Sequence, residues 1–295
     1  LAEELRPESG VTEVAMRKIL LLIALISSPA FAGNQLVDKL KEKGFTCTTN
    51  ADGSVCKISR VDSPGFKYSQ PMMILIPPNV QKPSDLLVHL HGHNMGGARD
   101  STPEAMLKDF DMQKQLQKSG ARNSVMIFPF SKGKCDNFKS ELAPQFDKFM
   151  SWVKATVEPA GDHYTLSGHS GAYIPIGQIL ENQSKKNPDL IKKLDSVVLL
   201  DSTYPSTAQS QAWFGNSFKS ARSVNPNFSV YSVYRENGGT KSGSLALKNA
   251  LDGNNVQIIR SETDDHYAVV NTYYADLIKD GRRQLTGAAA APARR

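Results

Sequence analysis

Between Pro71 and Ile259 the chain alternates short, apolar-rich runs with longer stretches of helical periodicity. Met72–Ile76 is apolar throughout and stops at Pro77-Pro78. Asp85–His89 carries Leu86-Leu87-Val88, and Val125–Phe128 stops at Pro129. Tyr164–Leu166, Ser196–Leu200, Ser229–Tyr234 and Val256–Ile259 complete the set. Apolar runs this short and continuous read as strands buried on both faces, as in a parallel sheet covered by helices. Ser101-Thr102-Pro103-Glu104 has capping-box spacing with proline in the first turn, and predicts a helix reaching Lys118, before Gly120. Phe146–Val157, Ile174–Gln183 and Ser244–Leu251 also read as helices. Strands alternating with helices predict an α/β fold: a mostly parallel central sheet of about eight strands with helices on both faces. No internal repeat is present.

Upstream, Cys47 and Cys56 flank Thr48-Thr49-Asn50-Ala51-Asp52-Gly53-Ser54-Val55. Asn and Asp-Gly are hairpin-turn chemistry, so a small N-terminal β-hairpin is predicted, with the two thiols facing each other as a disulfide. Cys135 is the odd thiol, with no cysteine-directed motif around it. Residues 1–15 read as upstream sequence. From Met16 the pattern is that of a secretory signal peptide: Arg17-Lys18, an apolar core at Ile19–Ile26, and Ala30-Phe31-Ala32 as cleavage site. The apolar core is short of the ~18–20 residues that span a bilayer, and no later segment is longer, so stable membrane insertion is not expected. The expectation is cleavage after Ala32, a single domain at 33–285, a low-complexity tail at 286–295, and a secreted or periplasmic location.

The charge changes this picture little. The whole chain carries +6, and loss of residues 1–32, with four Glu and three basic residues, leaves +7. The basic residues are scattered or terminal, which argues against nucleic acid as a partner.

The candidate chemistry lies at Tyr164–Tyr173, Tyr-Thr-Leu-Ser-Gly-His-Ser-Gly-Ala-Tyr. A strand runs into a tight turn and then a helix, with Ser170 at the apex and small residues, Gly168 and Ala172, two positions to either side. Larger side chains there would meet the flanking backbone, and the amide of Gly171 at the helix start is a donor for a developing oxyanion. The stretch resembles the nucleophile elbow of α/β-hydrolases, G-x-S-x-G, with Ala172 at the last position. In that family's order the histidine comes last. His266, after Asp264-Asp265, follows the final strand and is the only histidine beyond Ser170. Asp201, at the abrupt end of the strand after the elbow, is the preferred acid. Glu236, after the next strand, is the alternative, at the place where the family most often carries its acid. Leu90-His91-Gly92-His93 resembles the His-Gly segment of esterases and lipases, which makes Gly92 and the His93 amide the second oxyanion element.

The resemblance covers residues 70–280. It implies a serine hydrolase with a Ser-His-Asp triad, acting through an acyl-serine intermediate on a small-molecule or polymer-linked acyl substrate, with no metal and no cofactor. Three other readings are distinguishable. The same triad serves a peptidase or amidase. His89, His91 and His93 form H-x-H-x-H, a potential metal site, although Asn94-Met95 follows where metallo-β-lactamase-like hydrolases continue with Asp-His. The fold could also be kept as a binding module without turnover. For substrate, Thr203–Asn225 carries Tyr204, Trp213, Phe214 and Phe218 and is expected to overhang the site. Aromatics at such spacing are more often core; any that face a cleft suit a modest acyl group or a sugar ring. No long apolar lid of the kind that suits a lipase is present, so a carboxylesterase for small or polymer-linked esters is the expectation.

Overall fold

The computed structural model describes residues 34–93, 102–121, 123–251 and 255–285. The expected leader (1–32), the tail (286–295) and Ser101 lie outside the described residues. In chain order the strands are β1 (Thr46–Asn50), β2 (Gly53–Ile58), β3 (Val61–Ser63), β4 (Phe66–Tyr68), β5 (Met72–Ile76), β6 (Asp85–Leu90), β7 (Ser124–Pro129), β8 (Tyr164–His169), β9 (Leu194–Leu200), β10 (Ser229–Tyr234) and β11 (Val256–Arg260). The α-helices are α1 (Gln35–Glu42), α2 (Pro103–Lys108), α3 (Met112–Lys118), α4 (Phe146–Val157), α5 (Tyr173–Lys186), α6 (Pro188–Lys192), α7 (Ala208–Val224), α8 (Lys241–Ala250) and α9 (Ala268–Leu285). Among the described residues no helix is long and apolar enough to cross a membrane.

Nine strands form one sheet in the order β1-β2-β5-β7-β6-β8-β9-β10-β11, while β3 and β4 pair separately. From β7 to β11 every neighbour is parallel; β1, β2 and β5 join antiparallel at the other end. The continuous apolar runs have a simple cause. Side chains alternate between the two faces of a strand, and both faces are covered. Met72, Ile74, Val88, Ile127, Val197 and Leu199 enter one core, against α1, α4, α5 and α7. Met73, Leu75, Leu87, Met126, Val198 and Leu200 enter the other, against α2, α3 and α9.

The predicted hairpin forms as β1–β2, and β2 also pairs with β5 and extends the main sheet. Gly53 makes that join possible: it has φ +119°, and a Cβ there would lie 2.2 Å from the Ile76 carbonyl oxygen. Elsewhere the structure departs from the sequence expectation at three places. The helix expected to run through to Lys118 is broken into α2 and α3 at Asp111, which is left-handed with φ 45°. Phe110 and Met112 are both buried in the same cluster. On a straight helix they would point about 200° apart, so the break lets both reach the core. The N-cap of α2 is Thr102, whose Oγ1 accepts the Ala105 amide at 3.1 Å, while Glu104 pairs with Lys57 at 2.7 Å rather than closing a capping box. Finally, α7 does not overhang the site. It packs beside α5 and α8 with Phe214 and Phe218 buried, and Trp213 donates Nε1–H to Glu181 at 3.0 Å.

Cys47 and Cys56 are direct partners in the β1–β2 register and are joined by a disulfide; Cys135 is buried, with its Sγ–H directed at the His91 carbonyl at 3.7 Å. Replacing both bonded cysteines with serine should cost about 2–3 kcal/mol of unfolding free energy, since the bond closes a short loop of the unfolded chain. Urea unfolding of the double variant checks this; an unchanged midpoint and slope would contradict it.

Candidate active site

The parallel register levels the strand ends. Leu90 pairs with Gly168, and His169 pairs with Leu200. One step further along each strand, Ser170 therefore lies beside Asp201, and the His91–His93 segment beside the serine turn. The His93 ring touches that turn: a Cβ on Gly171 would lie 2.1 Å from its Cδ2 and Nε2. The backbone of Asp201 is held in place by its amide, which donates to Val233 at 2.9 Å.

Ser170 opens a short 3-10 turn, Ser170–Ala172, between β8 and α5. Its φ of +54° is a left-handed conformation that an L-residue adopts at a cost. The small neighbours are required by the packing. A Cβ at Gly168 would meet the Ala172 Cβ at 2.7 Å and Ile176 Cδ1 at 2.6 Å. Ser202 Oγ–H donates to the Ser170 carbonyl at 2.6 Å and ties this turn to the end of β9.

Asp201 is also left-handed, with φ +44°, and has no exposed surface. Its Oδ1 accepts Thr240 Oγ1–H. Its Oδ2 accepts Arg235 Nε–H, His266 Nδ1–H at 2.5 Å and Tyr204 O–H at 3.3 Å. Burial alone would favour the neutral acid, but the hydrogen bonds from His266, Thr240 and Arg235 prevail and bring the Asp201 pKa down to about 2. Burial lowers the His266 pKa below its ordinary value, helped by the nearby His169 and Arg235, and Asp201 only partly restores it. A neutral imidazole with its Nδ1 proton fixed on a carboxylate presents Nε2 as a base.

His266 is fixed from three other sides. Its carbonyl accepts His169 Nε2–H at 3.0 Å, and the two rings lie 4.2 Å apart. Asp265 accepts the amides of Tyr267 and Ala268 at 2.8 and 3.1 Å, where α9 begins. The Tyr204 ring stands edge-on to it at 6.2 Å.

The remaining candidates divide clearly. Glu236 pairs with Lys241 and with Arg260, the latter at 3.3 Å, and not with His266, whose Nδ1 is held by Asp201. His89 is buried between Phe128 and Tyr274 and bonds Ser167 Oγ at 3.0 Å. His91 accepts the Ser131 amide at Nε2, 2.8 Å, which makes its Nδ1 the donor to the Gly92 carbonyl at 2.6 Å. Both nitrogens of His91 are thus committed to the protein, and among the described residues no group of three His, Cys, Asp or Glu side chains is arranged to hold a metal ion. Of the four aromatics in Thr203–Asn225, Tyr204 alone reaches the site. Arg235, Thr240 and His169 are additions that the sequence reading did not single out. Arg235 is the immediate neighbour of the alternative acid Glu236, and His169 of Ser170, so adjacency was the one available signal.

Neither a family model nor a curated protein sequence matches the chain. Solved structures share its fold. A ferulic acid esterase is similar at 12% identity and TM-score 0.54, over 80% of this chain and 100% of that one. A fungal esterase structure from Rhizomucor miehei is similar at 14% identity and TM-score 0.52, over 90% of this chain and 96% of that one. A thermophilic carboxylesterase cloned from a metagenomic library is similar at 11% identity and TM-score 0.52, over 84% and 94%. With the strand order and the turn at Ser170, these likenesses define the fold as that of the α/β-hydrolases.

The Asp201 carboxylate makes a stability prediction. Its folded pKa of about 2 lies below the unfolded value. Its contribution, about 2 kcal/mol, is therefore complete above about pH 5 and is lost as the pH falls toward 2. Over that window the unfolding free energy of the native chain should fall more steeply than that of Asp201→Asn. Equal slopes would contradict the arrangement.

Proposed function

We propose that this chain is a secreted or periplasmic serine hydrolase that cleaves carboxylic esters. The observation that carries the reading is the hydrogen bond from His266 to a buried, ionised Asp201, set level with a strained serine at the carboxyl edge of a parallel sheet. An aspartate held charged without exposure favours an imidazole that gains a proton in the transition state.

In the proposed reaction Ser170 Oγ attacks the acyl carbonyl while His266 Nε2 takes the hydroxyl proton. The carbonyl oxygen becomes an oxyanion and is met by the amides of Gly171 and His93, with Gly92 allowing close approach. His266 returns the proton to the departing alkoxide, which leaves as the alcohol, and Ser170 is left as an ester. Water then attacks with His266 as base, and collapse releases the acid and restores the serine. The likeness in fold to solved esterases favours esters over amides. Export is supported by the charged, apolar and Ala30-Phe31-Ala32 segments of the leader, and by the Cys47–Cys56 disulfide, which suits an oxidising compartment.

Ser170→Ala and His266→Ala should each remove nearly all ester hydrolysis, because the members act as a unit. Asp201→Asn should cost on the order of 10⁴-fold, since the wrong imidazole tautomer is then favoured. Glu236→Gln should stay near the native rate. In kcat/KM, activity should rise with pH through an apparent pKa below about 6.5, as His266 loses its proton. A series of p-nitrophenyl esters from acetyl to palmitoyl should be turned over best at short chain lengths. A clear optimum at palmitoyl, or peptide cleavage without ester cleavage, would defeat the reading.

A further inference from the structure

The loop after β10 reaches across to the acid of the neighbouring strand. Arg235 Nε–H donates to Asp201 Oδ2, the same oxygen that accepts His266 Nδ1–H at 2.5 Å. Arg235 Nη1–H donates to the Asp264 carbonyl at 2.6 Å, two residues before His266. One guanidinium thus bridges the acid and the loop that carries the base. Its seat is shaped for it: the side chain is only 17% exposed, and a Cβ on Gly238 would lie 2.8 Å from its Cζ and Nη2. The Arg235 amide also faces Thr240 Oγ1 at 3.4 Å, the hydroxyl bonded to the other oxygen of Asp201.

We propose that Arg235 is a positioning residue, holding Asp201 and the His266 loop in one frame and, as a permanent cation beside the acid, extending the range in which His266 is a neutral base toward lower pH. The inference rests on the proposed roles of Asp201 and His266. The guanidinium has two effects. It fixes the carboxylate in the plane that receives Nδ1–H, since its rigid fork can reach Oδ2 and the Asp264 carbonyl together. It also offsets the negative charge that would otherwise hold a proton on the imidazole. Of the other titratable groups facing His266, one acts in the same sense: His169, from the end of β8, donates to the His266 carbonyl, and its charge also lowers the His266 pKa, but it does not touch Asp201 as Arg235 does. From the end of β9 comes Tyr204, whose phenol pKa is raised to about 12 by burial and by Asp201, so it stays neutral. From the base's own loop come Asp265, occupied with the amides of Tyr267 and Ala268, and Tyr267, whose ring lies 5.4 Å from that of His266. Glu236 is taken up by Lys241 and Arg260.

The test is an NMR titration of the His266 ring in the native chain, in Arg235→Gln and in Arg235→Lys, beside pH profiles of ester hydrolysis. Arg235→Gln should raise the His266 midpoint, because the cation beside Asp201 is gone and the carboxylate's charge is offset less. The acidic limb of kcat/KM should move up with it. Arg235→Lys keeps the charge and should leave the midpoint near native, while kcat falls, because one ammonium cannot replace the two-point bridge. If Arg235→Gln does not fold, Asp201→Asn is compared with Asp201→Asn/Arg235→Gln, in which no lone charge remains; the double variant should titrate higher. A midpoint unmoved by loss of the guanidinium, or moved equally by lysine and glutamine, overturns the proposal. The titration needs no turnover. A shift in a chain that cleaves no ester would retain the role of Arg235 and reject the esterase reading.

Discussion

A carboxylate without exposed surface survives in its charged form only if donors replace the water it has lost. Asp201 has four side-chain donors, from Tyr204, Arg235, Thr240 and His266. They come from three connections, those after β9, β10 and β11, with Arg235 and Thr240 on the same one. The site therefore exists only when β9, β10 and β11 are paired in register. Around Asp201, the carboxylate's requirement for partners and the orientation of the His266 imidazole are met by the same atoms. The hydroxyls beneath continue the network: Thr203 Oγ1–H donates to the Thr240 carbonyl at 2.9 Å and sits 2.6 Å from Ser244 Oγ, which meets Ser232 Oγ at 2.9 Å. Such a network fixes geometry as long as each member is satisfied.

The sheet supplies what the hydrogen bonds alone could not. Parallel strands end on one side, and a register of Leu90 with Gly168 and His169 with Leu200 puts the residues that follow them in a row. Positive φ at both Ser170 and Asp201 then turns each chain sharply at that edge. Strain at two adjacent strand ends is affordable because the strands behind them are buried on both faces, with Leu166, Val197 and Leu199 on one side and Val198 and Leu200 on the other.

Much of this was legible in the sequence. The runs at Met72–Ile76 and Ser229–Tyr234 coincide with strands end to end: the first is an unbroken apolar stretch, and the second is rich in the Val and Tyr that favour strands. The serine turn was legible because the tight packing of Gly168 against Ala172 and Ile176 leaves room only for small residues at positions 168 and 172. The break at Asp111 was not: nothing local forbids a helix there, and the demand comes from burying both Phe110 and Met112. Helix α7 misled for a related reason, since core aromatics and cleft aromatics look alike until their partners are known. The surroundings of Asp201 were the least legible. The sequence offered Asp201 and Glu236 as rival acids, and the decision lies in tertiary partners: Glu236 meets Lys241 and Arg260, whereas Asp201 meets the imidazole. Arg235 carries no motif at all, and its importance follows only from the distance it spans.

The central claim is that Ser170 is a nucleophile activated by His266 and Asp201. Reaction with a fluorophosphonate, followed by mass spectrometry of the peptide containing Ser170, tests it most directly, because the reagent forms a stable bond only with an activated serine. One adduct is expected, on Ser170, absent in Ser170→Ala and nearly absent in His266→Ala. An unmodified Ser170 in folded protein, or labelling that persists in Ser170→Ala, would contradict it.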